Sequence, residues 1–333
     1  MLKCPDDNEC AYMKKKSNRR RKSYRRSKIA YYTVSLVCLG LIITGIIIVG
    51  SEYRSLSSEA VNSGYSEITS APDPTDLPVS KPVPTEPAES YNEADLSTDK
   101  LGWAYSPGGS EGVPAKNTPA RIELCRKFGG MWQGDTSKKK VYLTMDVGYE
   151  YNNNTAKALD IAKEKDFQIT FFVVGKLFTY PAYEALLRRM HEEGHIVASH
   201  SWNHDMYDDL YRGSGAKAVT DDLRMVEDAY KAMFEEDMPK YFRFPSGEYS
   251  EAVMNVVHRA GYRSVFWSFS YRDWLVDAQP DPQDALSNMI KNLHNGIVFL
   301  LHPVSNTNTQ ILPELVDAIR EKGYEIASLD DFE

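Results

Sequence analysis

Five short polar clusters after residue 140 of this 333-residue chain carry side chains able to do acid–base or metal chemistry. The first is Thr144-Met145-Asp146-Val147-Gly148, where an apolar run delivers a carboxylate into a glycine turn. The second is His200-Ser201-Trp202-Asn203-His204, whose imidazoles, four residues apart, face the same side of a helical turn and can reach one metal ion. The third, Arg243-Phe244-Pro245-Ser246-Gly247, couples a turn fixed by Pro and Gly to a permanent positive charge that can point inward. Asp273-Trp274 and His302, which closes the apolar run Ile297-Val298-Phe299-Leu300-Leu301, complete the set. Each has an ordinary reading when taken alone. An Asp after a strand is commonly a turn former or helix cap, an Arg before a Pro turn is commonplace, and a His closing an apolar strand is commonly a satisfied core residue. The chain has only seven His, so two of them in one motif at a strand end favour ligation.

The elements that position these clusters follow from the hydrophobic pattern after Lys140. Apolar strand-like runs at 141–145, 169–173, 196–198, 241–243, 264–267, 297–301 and 324–327 alternate with amphipathic stretches at 155–164, 183–193, 217–234, 250–260, 282–294 and 310–322. Short apolar strands separated by helices imply right-handed parallel crossovers, and hence either a doubly wound sheet or a β/α barrel. In both architectures chemistry gathers at the C-terminal ends of the strands, where the five clusters fall.

The first hundred residues are of another kind. Residues 1–28 hold eleven Lys and Arg against three acids, a net +8; the whole chain is −8, so the remaining 305 residues carry −16. An acidic body argues against nucleic acid as a partner, because duplex binding relies on basic side chains that displace phosphate counterions. The basic tail stops at an uncharged run, residues 29–50, of 22 residues. As a helix it would rise ~33 Å, enough to cross a hydrocarbon core of ~30 Å. Its basic N-terminal flank places that side in the cytoplasm and the rest outside; a cleaved signal peptide is the alternative. Residues 51–100 are rich in Ser, Glu and Pro, with six prolines between Pro72 and Pro87, and read as a disordered, stiff acidic linker. Residues 101–140 read as an irregular lead-in that packs on the domain at 141–333. Of the four cysteines only Cys125 lies beyond the apolar run, which excludes an intrachain disulfide in the exported part.

Taken in order, the five clusters resemble the polysaccharide deacetylase family, the fourth family of carbohydrate esterases, over Lys140 to Phe332. The likeness is strongest to the muramic-lactam-forming de-N-acetylases of spore-forming bacteria. It rests on Tyr142-Leu143-Thr144-Met145-Asp146 with Gly148-Tyr149-Glu150, on Gly194-His195-Ile196 with His200-Ser201-Trp202, and on Val265-Phe266-Trp267-Ser268 with Tyr271-Arg272-Asp273-Trp274. The closing Ser328-Leu329-Asp330-Asp331 is similar too. The resemblance implies a distorted (β/α)7 barrel that removes N-acetyl groups from a glycan, with N-acetylmuramic acid of peptidoglycan the expected sugar. It implies that His200 and His204 hold a divalent metal, zinc or a similar ion. Asp146 would be the general base, Arg243 its orienting partner, His302 the acid for the leaving amine and Asp273 the partner of His302. Ser246, Trp274 and Tyr149 would contact substrate. One position departs from the family pattern: the carboxylate that should follow the base, completing the metal site, is Val147. Three outcomes are open, namely a third ligand drawn from Glu150 or Asp205, a weakly held ion, or a carbohydrate-binding pseudoenzyme. A deacetylase of another N-acetylated polysaccharide is a further alternative.

Overall fold

The alternation of strands and helices produces a curled parallel sheet wrapped by helices. The structure, a computed structural model, describes residues 95–332. The basic tail at 1–28, the apolar run at 29–50 and most of the 51–100 linker therefore lie outside the described residues. Among the described residues, no helix is long and apolar enough to cross a membrane.

In chain order the elements are β1 (Leu101–Gly102), α1 (Pro119–Lys127), β2 (Lys140–Val147), α2 (Asn154–Glu164), β3 (Thr170–Val173), α3 (Pro181–Glu192), β4 (Ile196–Ser199), α4 (Tyr207–Phe234), β5 (Tyr241–Phe242) and β6 (Glu248–Tyr249). There follow α5 (Glu251–Arg259), β7 (Arg263–Ser264), β8 (Phe269–Ser270), α6 (Pro282–Lys291), β9 (Ile297–Leu301), α7 (Asn306–Glu321) and β10 (Glu325–Ile326). The main sheet has eight parallel strands, in the order β7-β5-β4-β3-β2-β9-β8, with β10 beside the start of β2. Its two edge strands, β7 and β8, are consecutive in the chain. Val265 N–H still donates to Phe242 (2.8 Å) and Ser268 N–H to Val298 (3.1 Å), so one short segment is held by both sides of the curl. The ladder stays open between β7 and β8, and the result is an incompletely closed, distorted β/α barrel.

Strand β2 is buried along nearly its whole length, as expected for a parallel strand covered on both faces. Because side chains alternate along a strand, Val141, Leu143, Met145 and Val147 enter the apolar layer between sheet and helices, with Leu159, Leu187, Met190 and Leu312. Tyr142, Thr144 and Asp146 take the opposite face. Tyr142 there packs with Phe172, Ala198, Tyr241 and Val298.

Two features were not legible in the pattern. Strand β8 is only two residues long, too short for a periodicity signal. The helix read as 217–234 starts ten residues earlier, at Tyr207, with a break at Gly215, whose φ of 76° and ψ of −178° are non-helical. The segment before β2 is integrated into the domain: β1 pairs antiparallel with β6, Trp103 stacks on Phe266 at 4.2 Å, and Phe128 and Met131 are buried.

Candidate active site

The C-terminal ends of β2, β4 and β5 bring three of the clusters into direct contact. Arg243 is fully buried just beyond β5, and its guanidinium lies over the Phe172 ring at 4.0 Å. Its Nε donates to the Val265 carbonyl (3.0 Å) and its Nη1 to Asp146 Oδ1 (2.8 Å). These bonds fix the planar fork, so the charge is aimed at one carboxylate oxygen. Burial pushes the Asp146 carboxyl up, but Arg243 above all, with help from His302, overcomes it and holds Asp146 below the usual carboxylate range.

The other Asp146 oxygen, Oδ2, faces His200 Nε2 at 3.5 Å. His200 is itself buried, and its Nδ1 lies 2.8 Å from the Arg243 carbonyl. A carbonyl can only accept, so Nδ1 carries the proton and Nε2 presents a lone pair. Burial outweighs the pull of Asp146 and lowers His200 to about 4, so the ring is neutral at pH 7 and the contact is not an ion pair. A lone pair on nitrogen then points at a carboxylate oxygen with no proton between them, an arrangement that a cation would relieve. The His204 ring lies beside His200, centroids 5.0 Å apart and nearly perpendicular. The pair is not brought together by a helical turn, contrary to the reading from spacing. Residues 200–204 form a bent loop in which Ser201 and His204 both have φ of 62°. Backbone bonds from Gly175 to Ser201 and from Lys176 to Trp202, with Trp202 N–H donating to Asp222 (2.9 Å), pin that loop.

The two imidazoles suit a divalent ion chemically, but among the described residues no third protein ligand supplements them. Among the described residues no group of three or more His, Cys, Asp or Glu could hold a metal ion. Val147 is 1% exposed on the other face of β2 and has nothing to donate. Glu150 is engaged elsewhere, its Oε1 accepting from Tyr151 N–H (3.1 Å) and Thr155 N–H (3.3 Å) at the start of α2. Asp205 is exposed and acts electrostatically on His204.

A second group sits at the ends of β8 and β9. Asp273, fully buried, accepts from His302 Nδ1 (2.8 Å) through Oδ1 and from the His302 backbone N–H (2.8 Å) through Oδ2. Burial opposes protonation of His302, but Asp273 and, more weakly, Asp146 prevail, and its pKa is raised. Asp146 and His302 directly follow Met145 and Leu301, which pair across the adjacent strands β2 and β9, so both groups lie at one end of the sheet. Trp274 stands edge-on to His302, centroids 5.6 Å apart, and is 46% exposed. Tyr149, 47% exposed, follows Asp146 by three residues. Ser246 is exposed in the turn after Arg243, with φ of 55°. No hydrogen bond joins Tyr149 or Ser246 to either group among the described residues.

Reading from sequence missed the residues that hold these groups in place, Phe172 under Arg243, Asp222 under the His200 loop, and Asn308 and Gln279 around Asp273. Their types are common in any core or helix start, and only the assembled geometry distinguishes them.

A curled parallel barrel with buried Asp–Arg and Asp–His pairs at its strand ends is the arrangement of a hydrolase that handles protons on both sides of a bond. The pattern of the polysaccharide deacetylase family matches residues 133–265. The peptidoglycan-N-acetylmuramic acid deacetylase PdaA of Bacillus subtilis is 37% identical over 209 residues, covering 62% of this chain and 76% of that protein. An uncharacterized 30.6 kDa protein of Geobacillus stearothermophilus is 37% identical over 73% of this chain and 88% of its own length. Among solved structures, B. subtilis PdaA, a family 4 carbohydrate esterase, superposes with a TM-score of 0.66 at 31% identity, covering 71% of this chain and 98% of that one. A family 4 carbohydrate esterase from Bacillus anthracis gives 0.58 at 33% identity over 71% and 97%. This chain belongs to the polysaccharide deacetylase family, carbohydrate esterase family 4, and is a hydrolytic polysaccharide de-N-acetylase.

Proposed function

We propose that the protein removes the acetyl group from N-acetylmuramic acid residues of peptidoglycan, outside the cytoplasm, while held to the membrane by residues 29–50. The observation that carries the chemistry is the opposed tuning of two groups in one site, with Asp146 held down by Arg243 and His302 held up by Asp273. Around neutral pH one is then a ready base and the other a ready acid. Asp146 takes a proton from water as its oxygen attacks the acetamide carbonyl carbon. Arg243 occupies Oδ1, so the proton is received on Oδ2. The C–N bond breaks as His302 gives its proton to the nitrogen, and the products are acetate and a free amine on the sugar. Asp273 holds the His302 ring by Nδ1, which leaves Nε2 to face the leaving group. Trp274 and Tyr149 offer exposed aromatic faces for a sugar ring, and the Ser246 N–H in the turn after Arg243 is the backbone donor for the developing oxyanion. A divalent ion held by His200 and His204, with zinc the leading choice for imidazole ligands, would polarise the carbonyl and acidify the water when bound.

The muramic acid assignment rests on what PdaA is named for and on the shared motifs. Acetate release by the full chain should be measured on peptidoglycan glycan strands with and without peptide stems, and on chitin oligomers. Release from muramic acid residues, located by mass spectrometry of the fragments, is the expected result. Release from glucosamine residues alone would replace the sugar. No release from any of the three would leave a binding protein.

A further inference from the structure

We infer that Asn308 is a positioning residue for the proton donor, its side-chain amide tying Asp273 to the His302 backbone and so fixing how the two rest against each other. The inference rests on His302 being the acid proposed above. Asn308 is 2% exposed at the third position of α7, where its backbone N–H is satisfied by the Ser305 hydroxyl (3.1 Å). Its side chain is therefore not needed to cap the helix. Instead Nδ2 donates both to Asp273 Oδ2 (2.6 Å) and to the His302 carbonyl (3.1 Å). The Tyr271 hydroxyl donates to Asn308 Oδ1, which sets which end of the amide faces Asp273. With the His302 backbone N–H also on Oδ2, that oxygen is held from two sides and Oδ1 is left for His302 Nδ1. Gln279 braces the same corner, its Oε1 accepting from the Ser305 hydroxyl (2.6 Å) and its Nε2 donating to the Asp273 carbonyl (3.0 Å).

Hydrogen-bond partners behind a functional imidazole orient the ring and set its basicity. The charged groups acting on His302 are Asp273 and Asp146, which favour its protonated form, Arg243, which opposes it, and His204 across the site. Among the described residues only Asp273 is hydrogen-bonded to the ring, so freeing Asp273 to rotate weakens the main support for the proton. A residue that merely filled space would leave this balance unchanged.

The test is made on the full chain with Asn308→Leu, which keeps the branched skeleton and removes the donor, and Asn308→Ala as a second variant should the bulkier Leu fail to fold. The His302 ring is titrated by NMR, and kcat and KM for acetate release are measured against pH. Both variants should lower kcat by roughly 10- to 100-fold with KM little changed. The His302 titration and the alkaline limb of kcat/KM should both move about one unit lower. A variant that loses thermal stability but keeps the wild-type His302 titration overturns the inference. Because the titration needs no substrate, it can fail or succeed independently of the proposed activity, whose own failure would appear as absence of acetate release by the wild type.

Discussion

Replacing Arg243 by Met removes a positive charge from a fully buried position while nearly preserving the volume. The wild-type guanidinium lies 2.8 Å from Asp146 Oδ1, and Asp146 itself is only 8% exposed. At an effective dielectric of about 20 and a charge separation of about 4 Å, the attraction is worth about 4 kcal/mol. Deleting one partner of a buried pair typically costs about 3–5 kcal/mol, because the remaining charge is left uncompensated. Asp146 offsets only part of that cost by taking a proton. In the wild type a depressed carboxyl contributes stability that is present above the unfolded pKa and lost as pH falls through the folded one. In Arg243→Met the sign reverses, since burial now dominates and raises the carboxyl. The acid limb of kcat/KM for acetate release should therefore climb by about 2 pH units or more. The melting temperature at pH 7 should fall by roughly 6–20 °C for a domain of this size. Arg243→Lys, which keeps the charge but loses the fork and the Nε bond to Val265, should move the acid limb less than Met does. An acid limb unmoved in Arg243→Met would refute the assignment of Asp146 as the base sustained by Arg243.

Further outcomes follow from the same geometry. Asp146→Asn and His302→Ala should each reduce turnover by ~10² or more, measured as acetate release, with folding checked by circular dichroism. Calorimetric titration with a divalent ion should show weak binding in the wild type, removable by mild chelator, and none in His200→Ala, because only two imidazoles are poised as ligands. A chain truncated to begin at Lys140 should not fold to the native melting transition, since it lacks Trp103, Phe128 and Met131, which are buried against the barrel. The full chain should fractionate with membranes and expose its segment after residue 50 to external protease; a soluble chain beginning near Ser51 would instead show cleavage.

The side chains that the structure gathers at the strand ends could be read from sequence because a parallel β/α fold puts polar strand-end residues in one predictable place. Asp146, His200 and His302 each end a largely apolar run of three to five residues, and such runs are legible elements in a chain. Arg243 and Asp273 were harder. Their strands are two residues long, and it was the Pro-Gly turn and the neighbouring Trp that marked them. The geometry of the His pair misled because a spacing of four is helical only inside a helix. Here two residues with positive φ do the same work in a loop, and nothing in Ser or His as residue types announces that conformation. Asn308 and Gln279 were invisible for a further reason. Their partner, Asp273, lies 35 and 6 residues away along the chain, and a buried amide acquires meaning only from the group it faces.

Val147 is the position where local packing and expected chemistry part company. The strand's alternation sends it into the apolar layer, opposite to Asp146, where an alkyl chain is the stable choice and a carboxylate would be buried without a partner. The consequence falls on Asp146. Its Oδ1 belongs to Arg243, and its Oδ2, the oxygen left to receive a proton in the proposed reaction, is also the one that faces His200. A site with a separate metal carboxylate can tune ion affinity and basicity independently. In this one, a cation held by the imidazoles would share the field of the proposed base itself, so each step toward tighter ion binding would make Asp146 a poorer proton acceptor. Weak ion binding is then the condition under which a single buried carboxylate can serve as base, with Arg243 supplying the fixed positive charge that an ion need not.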